Sequence, residues 1–231
     1  MSDINGDGAV TDGAELYDAS RARIIELVRD ADPATPVQAC PGWTVGAMVA
    51  HLAGGLGDFL ARRFDLAEGD NFGERTVRER RDQSVADSLA EWEKHRAMAE
   101  EMLASPMGEV LVAEVISHEQ DFRTALDRPG AREDPAVRAG LRRPLQEIDK
   151  RLRESGGPAI RVVVDGEPLV LGAGEPTTTL TVSAYELLRT IGGRRTREQV
   201  RALAWAGDGG EAAMDALAVF GSFRQGTPLP E

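Results

Sequence analysis

The chain holds three histidines, His51, His95 and His118, each inside a stretch whose apolar residues recur at helical spacing. Glu114 and His118 stand at i and i+4. On a helix they stack on one face, and Asp121 follows one turn further along it. Leu111, Phe122 and Ala125 share that face. Three ionisable side chains on a core-facing stripe are costly, on the order of several kcal/mol, unless they are paired or bound to a metal. A carboxylate and an imidazole at this spacing can chelate one ion, and a third ligand from a facing helix completes a half-open site of the catalytic zinc type. The plainer reading is an ordinary Glu–His helix contact. His51 lies at the edge of its apolar stripe; His95 suits a surface or packing role. Asp121 is expected to accept the free N–H of the His118 imidazole and fix its tautomer. Arg123 is expected to point off this face and to tolerate change.

Cys40 is the single cysteine. It precedes a helix start, where a thiol pKa can be lowered, so a nucleophile and a merely packed residue are both open. "DINGDGAVTDGAE" (3–15) imitates a calcium loop but carries Ala14 where the bidentate carboxylate is required. Residues 1–13 read instead as an acidic, disordered tail. The chain has no phosphate-binding Gly-rich loop, no G-x-S-x-G elbow and no CxxC pair.

These side chains sit in a protein of 231 residues with net charge −12, long enough for one large domain or two small ones. The acidic balance argues against nucleic acid as a partner. No apolar run approaches a membrane span, and the acidic N-terminus lacks a signal-like apolar segment. One cysteine excludes an intrachain disulfide, and the expected location is the cytoplasm.

Four amphipathic stretches are expected to position the candidates. The first carries Leu16, Ile24, Leu27, Val28 and Ala31 and stops at Asp32-Pro33. The second, N-capped by Thr44, carries Val45, Met48, Val49, Leu52, Leu56, Phe59 and Leu60. The third carries Val85, Leu89, Trp92, Ala99 and Leu103, and the fourth Val110, Leu111, Val115, Phe122 and Leu126. "GERTVRERRDQ" (73–83) reads as a solvated loop and helix start. Antiparallel packing of the four gives a helical bundle over 14–130. A connecting helix or linker is expected over 131–157, with Leu141, Leu145, Ile148 and Leu152 on one stripe. From 158 to 231 the period changes to an α+β pattern. It comprises a hairpin around Asp165-Gly166, a third strand at 177–182, two helices (the second with Val200, Leu203 and Trp205), and a last helix with Met214, Leu217, Val219 and Phe220.

"CPGWTVGAMVAHLAG" (40–54) and "EVISHEQDFRTALDRPG" (114–130) resemble the two signature stretches of the mycothiol-dependent maleylpyruvate isomerase family, and "IGGRRTREQVRALAWAGD" (191–208) resembles a segment of its C-terminal domain. The resemblance implies a DinB-like four-helix metal-binding bundle followed by a small sterol-carrier-like α+β domain. It implies that His51, Glu114 and His118 bind one divalent metal, usually zinc. It also implies mycothiol or a comparable thiol as cofactor and a small electrophilic substrate, through isomerisation or S-transfer. An arginine of the C-terminal domain takes part in some members; Arg194 and Arg195 are candidates, but no motif fixes the correspondence.

Two functions of different class follow. In one, the metal lowers the pKa of a bound thiol, the thiolate adds to an electrophilic double bond, and rotation and elimination complete an isomerisation. In the other, a non-enzymatic binding or regulatory module keeps bundle and metal as structure. Three protein ligands rather than four favour the first.

Overall fold

The computed structural model describes residues 13–66, 71–208, 210–219 and 222–231. The calcium-like loop and the tail lie outside them, apart from Gly13–Glu15, which begin the first helix. Two compact units result, over 13–130 and 131–230.

The first unit is all helix. α1 (Gly13–Val28) buries Leu16, Tyr17, Ile24, Leu27 and Val28. α2 (Val45–Ala61) starts where Thr44 accepts a hydrogen bond from the Ala47 N–H at 3.3 Å. It is the most buried helix of the unit, with Val45, Met48, Val49 and Ala53 inaccessible to solvent. α3 (Phe72–Glu79) is capped by Asn71. α4 (Val85–Ala97) opens with a Ser84–Asp87 capping box. After α5 (Glu100–Leu103), α6 (Pro106–Ala125) begins with Ser105 as cap and Pro106 in the first turn. α1 packs on α6, and α2 on α3, α4 and α6.

Two glycines permit the α2 packing. A Cβ on Gly54 would meet the Arg80 guanidinium, and one on Gly57 would meet the His95 ring. Trp92 of α4 is fully buried and donates its indole N–H to the Tyr17 hydroxyl oxygen of α1 at 2.7 Å. Burial pushes the Tyr17 hydroxyl well above its usual pKa, so it stays neutral.

Two expectations for this unit need correction. The third amphipathic stretch is broken at Met98–Ala99 into α4 and α5. Of the "GERTVRERRDQ" run, residues 73–79 lie in α3 and 80–83 in the turn after it, so it is helix followed by turn, and its inner face is not solvated: Arg75 and Thr76 are both buried. Arg75 pairs with buried Asp58 at 2.9 Å, and Arg80 clasps Glu91 at 2.7 and 2.9 Å. These charges enter the protein because each finds a carboxylate.

The second unit begins with α7 (Pro135–Ala139) and α8 (Arg142–Ser155). β1 (Ile160–Val164) turns into β2 (Glu167–Leu171) through Asp165 and Gly166, at φ 50° and 89°. Positive φ at both central residues is what a tight hairpin of matching twist demands. β3 (Thr178–Val182) runs parallel to β1, and the mixed sheet has the order β2-β1-β3-β4. Ile160, Val162 and Val164 alternate inward. α9 (Ala184–Ile191) and the short α10 (Arg197–Arg201) follow β3. The expected second helix ends there: Trp205 lies in β4 (Ala204–Gly207), antiparallel to β3. The last helix is α11 (Gly210–Ala216); Leu217 and Val219 lie past it, and Phe220 is outside the described residues. Among the described residues no helix is long and apolar enough to cross a membrane.

Candidate metal centre

α2 and α6 bring the first unit's chemistry to one place. His51 projects from α2 and is 4% exposed. Its Nε2 lies 2.8 Å from Oε1 of Glu114, and the same oxygen lies 3.9 Å from Nε2 of His118. The donor atoms of His51, Glu114 and His118 all fall within 4.8 Å of one another. The imidazole rings are edge to face, 5.1 Å between centroids. The i, i+4 register of α6 places Glu114 and His118 one above the other, and α2 supplies the third donor from across the bundle.

Both imidazoles are held from behind. Nδ1 of His118 donates to Oδ2 of Asp121 at 3.0 Å, and Asp121 is fully buried. This leaves Nε2 of His118 facing Glu114. Burial pushes the His118 pKa down, while the Asp121 carboxylate opposes the shift. A neutral imidazole is the form that ligates metal. Nδ1 of His51 lies 2.9 Å from the Thr76 hydroxyl of α3, and the Trp43 ring lies against His51 with centroids 4.9 Å apart.

The donor set passes a chemical test for a divalent ion. Two imidazole nitrogens and one carboxylate oxygen suit zinc and its first-row neighbours. Three protein donors leave room in the coordination sphere. An apolar cleft lined by Tyr17, Leu52, Leu56, Phe59 and Leu111 opens beside Glu114.

The other candidates have partners of their own. His95 packs on Gly57 and bonds through Nδ1 to the Ala53 carbonyl at 3.0 Å, a packing role. Cys40, half-buried, donates its S–H to Oδ2 of Asp121 at 3.7 Å, and so leans on the group that holds His118. Arg123 engages Glu119 and not His118. Its bond to fully buried Glu119 is 2.9 Å long. In the second unit Arg195 is buried and paired with Glu186, while Arg194 bonds to the Gly192 carbonyl. Thr76 and Trp43 carry no sequence signal of their own; their places depend on how α3 and the loop before α2 fold.

Residues 15–121 match the family model described as the mycothiol maleylpyruvate isomerase N-terminal domain. No curated protein matches the sequence. Two solved structures share the fold. One is a histidine-to-alanine mutant of the mycothiol-dependent maleylpyruvate isomerase, 13% identical over 84% of this chain and 91% of its own, with TM-score 0.55. The other, titled as the mycothiol-dependent maleylpyruvate isomerase, is 12% identical over the same shares, with TM-score 0.51. Residues 15 to 121 thus match the mycothiol maleylpyruvate isomerase N-terminal domain model, and the described chain shares the fold of the solved isomerase structures.

Proposed function

We propose that this protein is a metal- and mycothiol-dependent isomerase of the maleylpyruvate type. His51, Glu114 and His118 would hold one divalent ion, zinc being the best match to the donors. The observation that carries the reading is the convergence of three donor atoms from two helices within 4.8 Å, beside an apolar cleft. When bound, the ion would keep the thiol of mycothiol as thiolate near neutral pH, the nucleophile for reversible addition to a substrate double bond.

The chain's own residues do the rest. Asp121 orients the His118 ring and fixes its tautomer. α2 and α6 give the donors a rigid footing, since His51 and His118 rise from helices whose inner faces are packed. Leu52, Leu56, Phe59 and Leu111 give the cleft beside Glu114 an apolar wall. A structural metal would ordinarily be closed by four protein ligands, so a set of three favours catalysis.

The test is metal analysis of the purified protein followed by a mycothiol-dependent assay on maleylpyruvate, with product identification. Stoichiometric divalent metal and cis-to-trans isomerisation are expected. Thiol adducts without isomerisation would place the protein among S-transferases. A protein that takes up no divalent metal and turns over nothing in the presence of mycothiol would overturn the reading.

A further inference from the structure

We propose that Thr76 is a positioning residue: its hydroxyl accepts the Nδ1–H of His51, fixing the tautomer that turns Nε2 toward Glu114 and His118. The inference rests on the metal-centre reading above for its consequence, but its premise is a proton inventory independent of any ion. The Thr76 hydroxyl oxygen lies 2.7 Å from the Gly73 carbonyl oxygen. Two oxygens that close need a proton between them, and a carbonyl has none to give. The single Thr76 hydroxyl proton is therefore committed to Gly73. What remains on the Thr76 oxygen is lone pair, and Nδ1 of His51 at 2.9 Å must supply the proton of that contact. Thr76 is fully buried, so water cannot stand in as a partner.

With Nδ1–H given to Thr76, the proton that the 2.8 Å contact between Nε2 and the Glu114 carboxylate requires is the one a metal ion would displace, leaving the Nε2 lone pair for the ion. His118 reaches the same tautomer through Asp121, a charged acceptor. The two rings are thus set by different means: one by a carboxylate on its own helix, the other by a neutral hydroxyl on a neighbouring helix whose proton is already spent. α3 thereby earns its place beside the centre, although none of its residues belongs to the donor set. Asn71 caps α3 through the Gly73 and Glu74 N–H groups and so fixes the turn that carries the Gly73 carbonyl.

Thr76→Val keeps the shape and removes the acceptor; Thr76→Ser keeps the hydroxyl. Thr76→Ala substitutes for the valine should that variant not fold. Two readouts are needed. The first is the His51 imidazole Nδ1–H signal in ¹H–¹⁵N NMR of the zinc-free protein. The second is the zinc dissociation constant from competition with a chromophoric chelator. A slowly exchanging Nδ1–H is expected in wild type and Thr76→Ser, and is expected to be lost or in fast exchange in Thr76→Val. Zinc affinity should fall about 10- to 100-fold in Thr76→Val and recover in Thr76→Ser, the usual consequence of losing a partner that orients a ligand. An unchanged Nδ1–H signal in Thr76→Val overturns the positioning role, and so does a zinc affinity equal to wild type. If wild type itself binds no zinc, the metal-centre reading fails instead, while the NMR arm still decides whether Thr76 sets the tautomer.

Discussion

α6 carries two polar clusters less than two turns apart, and they are built on opposite plans. Around Glu119, fully buried, every neighbour is a donor. The Ser20 hydroxyl reaches it at 2.6 Å, Arg23 at 2.8 Å through two nitrogens, and Arg123 at 2.9 Å. That cluster is closed: permanent cations of the chain neutralise the carboxylate and tie α6 to α1. Around Glu114 stand two imidazoles whose other nitrogens are already engaged. Glu119 is neutralised by permanent cations of the chain, while Glu114 faces two groups of the kind that ligate metals. Burial of a charge is thus a weak sign of function, and the nature of its partners is the stronger sign.

The same substitution at the two positions should give opposite results. Glu114→Gln is expected to abolish thiol-dependent turnover and to weaken zinc binding by more than the roughly 100-fold upper range for an orienting partner. Unfolding stability should change by only about 1 kcal/mol, because Glu114 is a third exposed. Chelator competition and urea titration of one preparation read both. Glu119→Gln should do the reverse, losing about 3 kcal/mol of stability while the folded fraction still binds zinc with near wild-type affinity. That figure is the low end for a broken buried pair, because the Arg23 side chain is a quarter exposed and can reach water. If Glu119→Gln impaired zinc binding as strongly as Glu114→Gln, the division between the clusters would collapse.

Smaller changes sharpen the division. Asp121→Asn should lower zinc affinity about 10- to 100-fold, since the amide can present its NH₂ to His118 and favour the wrong tautomer. An unaltered dissociation constant would show that the buried carboxylate serves packing alone. Arg123→Met should cost about 1 kcal/mol, measured by urea unfolding, because Arg23 still neutralises Glu119. No effect on zinc binding is expected from it.

The sequence discloses the donor set more readily than its support. Glu114, His118 and Asp121 share a face by helical register alone, and the flanking Leu111, Val115 and Phe122 identify that face as inward. Thr76 is invisible by the same reasoning. α3 buries Arg75 and Thr76 rather than apolar residues, so hydrophobic periodicity does not announce a helix there. The break after α4 is equally silent, since Met98 and Ala99 are ordinary helix formers and Ala99 becomes wholly buried. In the second unit, Asp165-Gly166 marks its hairpin by turn chemistry. β4 has no such mark. Ala204–Gly207 is a strand because β3 offers it an edge, and Trp205 donates its indole N–H to the Val200 carbonyl, which the helical reading had made a neighbour on one stripe. Contacts distant in the chain override local pattern at both places.

The Trp43 ring, lying 4.9 Å from His51, makes the centre optically self-reporting. Indole emission is quenched by a nearby protonated imidazole and responds to a cation placed on that ring. Trp92 is engaged with Tyr17 and Trp205 with Val200, so the three indoles of the chain sit in distinct surroundings. Filling the Glu114 side of His51 would change the light from one tryptophan against a steady background from the other two, and the occupancy of the site could be followed without any added dye.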